Sequence, residues 1–154
     1  MPQSLAQLWI HIIFSTKNRY PFFQNPTIQK NVHHYITAIC SKQNCRPIIV
    51  GGVSDHVHLL INLHKNISLS DFIEEIKIST SKWIKTLSNI DSNLDKFYWQ
   101  RGYGAFSVSQ SNLEAVKIYI ENQQKHHQRQ SFQDELRKFF TQYGITYKEE
   151  YVWD

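Results

Sequence analysis

Residues His56 to Leu63 read His-Val-His-Leu-Leu-Ile-Asn-Leu, and no other stretch narrows the possible folds as much. Successive side chains of a strand point to opposite faces. His56, His58, Leu60 and Asn62 therefore share one face, and Val57, Leu59, Ile61 and Leu63 share the other. Val57 packs into a core beneath two imidazoles held side by side on a stiff element. Neutral imidazole nitrogen suits several divalent ions, so the two rings form a natural pair of metal ligands. A half-exposed strand that merely carries two histidines on its polar side fits the same residues.

The flanking pattern builds a sheet around this strand. Trp9 to Ser15 reads as a first strand, and Asn25-Pro26 starts a helix with Ile28, Val32, Tyr35, Ile36 and Ile39 on its apolar side. Pro47 to Val53 is a second strand, joined to the histidine strand by a hairpin through Ser54-Asp55. Ser68 and Asp71 begin a helix whose core stripe is Leu69, Phe72, Ile73, Ile76, Trp83, Ile84 and Leu87. After a polar connection, Ser88 to Asp95, the segment Phe97 to Ser109 supplies a fourth strand interrupted at Gly102 and Gly104. Strand, helix, strand, strand, helix, strand is the split pattern of an α+β, ferredoxin-like (RRM-like) βαββαβ antiparallel sheet with two helices on one face. Its first and third strands are central, which puts His56 and His58 in mid-sheet. At 154 residues the chain makes one domain, 1–154.

Beyond the sheet, Ser111-Asn112-Leu113-Glu114 has capping-box form and starts a helix containing Tyr119 and Gln123. Residues four apart are helical neighbours, so the phenol and the amide can reach one site above the open face. The plain alternative is an amphipathic helix with Tyr119 at the edge of its buried side. Ser131 and Asp134 cap a last helix ending near Gly144.

Charge is +4 with a pI near 9.0. Lys17, Arg19, Lys30, Lys42 and Arg46 precede the first acidic residue, Asp55, so the N-terminal third carries +5. A basic third suits a polyanionic partner. Cys40 and Cys45 lack the second pair that a zinc site of their spacing needs, and they read as buried thiols in a reducing cytoplasm. No apolar run approaches the ~20 residues of a spanning helix, so no membrane partner is expected. The five glycines include no Gly-x-x-x-x-Gly-Lys loop, which speaks against a nucleotide cofactor.

Trp9–Arg19, Gly51–Leu60, Trp99–Ser109 and Tyr119–Gln123 together resemble the single-tyrosine HUH transposases of small insertion sequences and repeat-associated elements. The likeness runs through nearly the whole chain, and it is the order of these segments, more than the His-x-His, that is specific. It implies Tyr119 as the catalytic nucleophile and His56, His58 and Gln123 as ligands of a divalent metal, Mg2+ or Mn2+. The implied reaction cleaves and rejoins single-stranded DNA with hairpin ends through a 5′-phosphotyrosine. DNA-contact candidates are Lys17, Arg19, Lys77, Lys82 and Arg101. The resemblance also implies a homodimer in which one subunit's tyrosine helix completes the other's histidine site, a crossing that the short polar segment Ser107–Ser111 would permit. Two rival readings use the same residues. One is a zinc hydrolase taking a third ligand from His64, His126 or His127, with Tyr119 dispensable. The other is a non-catalytic single-strand-binding relative.

Overall fold

A computed structural model describes residues 2–154. Strands β1 (Trp9–Ser15), β2 (Pro47–Gly52), β3 (His56–Asn62) and β4 (Gly104–Ser107) form one antiparallel sheet in the order β2-β3-β1-β4. That order, with helix α1 (Pro26–Lys42) between β1 and β2 and helix α2 (Leu69–Lys85) between β3 and β4, is the expected ferredoxin-like arrangement. β1 and β3 are the inner strands, with Ile13 opposite His58 and Ser15 opposite His56.

Local chemistry accounts for the helices of the first face. Asn25 accepts from the backbone N–H of Thr27 and Ile28, and Pro26, which lacks an N–H to satisfy, opens α1. Ser68 accepts from Asp71 N to start α2, and Lys82 and Lys85 lie in its last turn, where cations suit the helix dipole. Ile28, Val32, Ile36 and Ile39 of α1 and Phe72, Ile73, Ile76 and Ile84 of α2 pack with Ile12, Phe14, Val57, Leu59 and Ile61 of the sheet into the larger core. Trp83 and Leu87 from the expected α2 stripe are only partly buried against it. Cys40 and Cys45 are buried free thiols, and burial pushes the Cys40 thiol up to about 12, a range without reactivity at neutral pH.

The opposite face, bearing His11, Ile13, His56 and His58, is covered by the remaining helices: α3 (Leu113–Glu121), the short α4 (Gln123–His126) and α5 (Phe132–Gln142). Phe132, Leu136 and Phe140 of α5 close on Ile13 and Phe106 as a second, smaller core. The close approach of α3 depends on Gly51, where an added Cβ would stand 2.9 Å from Ile120 Cγ2. A final turn, α6 (Glu149–Val152), brings Trp153 into partial contact with this core. Among the described residues, no helix is long and apolar enough to cross a membrane.

Three sequence expectations are corrected. The fourth strand is only Gly104–Ser107: Trp99 still bridges Thr16 and Gln100 N donates to Ser15 O at 2.9 Å, but there the Gln100 side chain interrupts the ladder, Oε1 accepting from Ser15 N at 2.6 Å. The segment around it is instead pinned by Lys77, whose Nζ donates to the carbonyls of Gln100, Arg101 and Gly102 at 2.8, 3.3 and 2.8 Å. Lys77, a DNA-contact candidate by sequence, therefore points inward, and burial lowers its pKa to about 8. Ser111 does not cap α3: Gln110–Asn112 form a 3-10 turn, α3 starts at Leu113, and the Ser111 hydroxyl meets that of Ser109 at 3.1 Å.

Candidate active site

The site is assembled from three places in the chain. β3 supplies His56 and His58, both fully buried beneath the covering helices. The α3–α4 junction supplies Tyr119, Gln123 and His127, and α5 supplies Glu135. Asn122 leaves the helical conformation between α3 and α4, with φ −97° and ψ 19°. Gln123 nevertheless stays one turn below the tyrosine, and its Nε2 lies 3.4 Å from Tyr119 O.

Each histidine is oriented from behind. His56 Nδ1 donates to Asp55 Oδ1 at 2.7 Å, which directs Nε2 into the site. His58 Nδ1 pairs with His11 Nε2 at 2.8 Å, directing its Nε2 to the same point. Such partners on the far ring nitrogen are what fix tautomer and ring angle in histidine metal sites. His11 itself is buried, and burial together with the neighbouring His58 lowers its pKa to about 3. On His56, burial opposes charge, but the Asp55 and Glu135 carboxylates outweigh it and raise the pKa to about 9.

Glu135 sits where these groups converge. Its Oε1 lies 3.4 Å from His56 Nε2, 3.1 Å from His58 Nε2 and 3.2 Å from His127 Nε2. Its Oε2 accepts from the Tyr119 hydroxyl and, at 3.2 Å, from Gln123 Nε2. Burial disfavours the carboxylate, yet the adjacent His127, His56 and His58 rings prevail and hold it well below the usual range. Burial and then the adjacent carboxylate raise the Tyr119 phenol above its ordinary value. His126 stacks on the Tyr119 ring with centroids 4.6 Å apart, and the His58 ring lies 6.0 Å away.

His56, His58, His127 and Glu135 could hold a metal ion, since each offers a ligand atom and all four atoms lie within 4.8 Å of one another. The donor set fits a divalent cation. His127 Nε2 is buried and has no well-formed hydrogen bond, which leaves a ligand atom aimed into the cluster.

Of the residues singled out from sequence, His56, His58, Tyr119 and Gln123 converge, and Gln123 Oε1 lies 3.3 Å from His56 Nε2. They do so within one chain. Of the rival third ligands, only His127 joins the cluster; His64 instead accepts from Asn66 N through Nδ1 at 3.1 Å. Lys17 and Arg101 lie away from the cluster beside Asp154, at 3.8 and 3.9 Å, and Arg19 donates to Trp153 O at 3.3 Å. Lys82 is exposed on α2. His11, Asp55 and above all Glu135 were missed as site residues. The usable signal for Glu135 is a carboxylate inside the stripe Phe132, Leu136, Phe139, Phe140, where helical spacing demands an apolar residue.

Comparison with known proteins agrees with this architecture. The transposase for insertion sequence element IS200 from Salmonella typhimurium is 24% identical over 115 residues, covering 73% of this chain and 74% of the relative. The corresponding Salmonella typhi protein matches equally. A crystal structure assigned as a transposase from Deinococcus radiodurans shares the fold with a TM-score of 0.62 at 19% identity, over 80% of this chain and 95% of that one. The structure of a REP-associated tyrosine transposase bound to a REP hairpin does so with a TM-score of 0.54 at 14% identity, over 82% and 73%. The family model described as "Transposase IS200 like" spans residues 4–123, taking in both histidines of β3, Tyr119 and Gln123, and the chain belongs to that family.

Proposed function

We infer that this chain, acting as a single transposase domain over residues 1–154, cleaves and rejoins single-stranded DNA with Tyr119 as nucleophile. The observation that carries this reading is the convergence of Tyr119 on the His56–His58 pair through a shared carboxylate, Glu135. In the reaction the Tyr119 oxygen bonds to phosphorus, the bond from phosphorus to the 3′-oxygen breaks, and that oxygen leaves as a 3′-hydroxyl with a proton. The 5′-phosphotyrosine stores the ester, so a different 3′-hydroxyl can attack it and rejoin DNA without a nucleotide cofactor. Asp55 and His11 hold the two imidazoles in register, and Glu135 with stacked His126 fixes the phenol's orientation.

A divalent ion held by His56 and His58, magnesium or manganese, would supply charge neutralisation at the scissile phosphate. The REP-associated relative is bound to a hairpin, and hairpin ends with flanking unpaired bases suit the basic surface here. Lys17, Arg19, Lys82 and Arg101 are the contacts we favour, since the exposed pairs that Lys17 and Arg101 make with Asp154 are weak enough to exchange for phosphate. Joining two ends calls for two strands held together, which a homodimer with one complete site per subunit would provide, in the cytoplasm where DNA lies. A zinc hydrolase gains support only from His127 in the cluster, and it leaves Tyr119 without work.

The test is a covalent adduct. Incubated with candidate single-stranded ends and a divalent ion, the protein should yield a protein–DNA product that survives denaturation. Tyr119→Phe should yield none; an undiminished adduct from that variant would remove Tyr119 from the nucleophile role, and hydrolysis without any adduct would favour the zinc reading.

A further inference from the structure

We propose that Glu135 and His127, which lie beyond the residues matched by the family model, complete the cation site: the ligands are His56, His58, His127 and Glu135, and Gln123 orients the carboxylate instead of binding the ion. This rests on the metal-assisted reading of the site and names its ligands.

The four candidate ligand atoms lie within 4.8 Å of one another, and the carboxylate stands from each imidazole at the distance that two ligands of one ion keep. Four N and O ligands about 2.0–2.2 Å from a tetrahedral ion stand about 3.3 Å apart. Glu135 Oε1 lies 3.1 to 3.4 Å from the Nε2 atoms of all three histidines. Gln123, by contrast, spends its amide on other work: Nε2 donates to Glu135 Oε2, and Oε1 meets only one of the two β3 histidines within hydrogen-bond distance. A carboxylate also brings the negative charge that a dication in a buried site requires and a neutral amide does not.

Two consequences follow from the donor types. Three imidazoles and one carboxylate favour manganese or zinc over magnesium, which prefers oxygen ligands and keeps several waters. The second carboxylate oxygen holds the Tyr119 hydroxyl, so one side chain ties ion and nucleophile together. Because Glu135 is on α5, the ion also clips α5 onto β3.

Titration calorimetry of the full chain, without DNA, tests this with Mn2+ chloride, Zn2+ chloride and Mg2+ chloride. Glu135→Gln, which keeps shape and one oxygen, should weaken Mn2+ binding at least tenfold, and Gln123→Ala by less than tenfold. His127→Gln, at a half-buried turn position, should also lose at least tenfold and serves if Glu135→Gln does not fold. Wild type should bind Mn2+ at least a hundredfold more tightly than Mg2+. The proposal is overturned if both ligand variants fall short of tenfold, if Gln123→Ala loses more than they do, or if Mg2+ binds as well as Mn2+. Binding is read without DNA, so a chain that takes Mn2+ through Glu135 yet forms no adduct keeps this site and loses the transposase chemistry.

Discussion

At the scale of single residues, the site depends on which nitrogen of each ring faces inward. His11 and His58 share a 2.8 Å contact, so a proton on each facing nitrogen is excluded, and His11 is held neutral with its pKa near 3. A folded pKa below the unfolded value near 6.5 gives stability that is whole above about pH 6.5 and is lost as pH falls toward 3. Between pH 7 and 5 this one group should cost on the order of 2 kcal/mol, from about 1.4 kcal/mol per unit of pKa difference. Denaturant unfolding of chelated protein at both pH values measures it. His11→Gln should lose about 2 kcal/mol less than wild type over that interval, and equal losses would show that His11 is not the acid-sensitive group. His56 and His58 were readable in the sequence because strand alternation is a local rule. Glu135 was not, because it joins them across 77 residues only once α5 folds back onto the sheet.

At the scale of elements, the sequence pattern located every strand of the sheet and helices α1, α2 and α5, since apolar periodicity and the caps Asn25, Ser68 and Ser131 act within a few residues. It failed where distant groups intervene: Gln100 and Lys77 interrupt the ladder between the Thr16–Trp99 bridge and β4, and α3 begins without a side-chain cap. Helix α3 is held instead by contact, and Gly51 sets its distance from the sheet. Gly51 also pairs with His58 across β2 and β3, so a displaced α3 would be felt at the site. Gly51→Ala should destabilise by about 1–3 kcal/mol, the usual cost of overfilling a packed interface. Ile120→Ala removes the Cγ2 atom that the new methyl would strike, so the double variant should cost less than the sum of the singles. Strict additivity in denaturant unfolding would mean that α3 does not rest on Gly51.

At the scale of the whole molecule, the question is whose tyrosine serves whose histidines. The resemblance to HUH transposases implies an exchange between subunits, through the short polar segment Ser107–Ser111. Three sets of contacts hold the tyrosine helix within its own chain and would have to be re-made by a partner. α3 follows β4 after one 3-10 turn, Ile120 is seated against Gly51 of the same sheet, and Glu135 of the same chain binds both the Tyr119 hydroxyl and the β3 histidines. Releasing α3 to a partner would break all of these at once and leave the Glu135 carboxylate buried beside His56 with one of its donors gone. Mixing two inactive variants therefore distinguishes the arrangements. Tyr119→Phe retains the histidines and His58→Ala retains the tyrosine, so a mixed dimer assembled across subunits would contain one intact site, whereas assembly within each chain spoils both. Co-refolding the two should restore no cleavage above that of either alone. Recovery of a substantial fraction of wild-type adduct in dimers shown to be mixed would mean that α3 exchanges in solution despite its contacts with its own sheet.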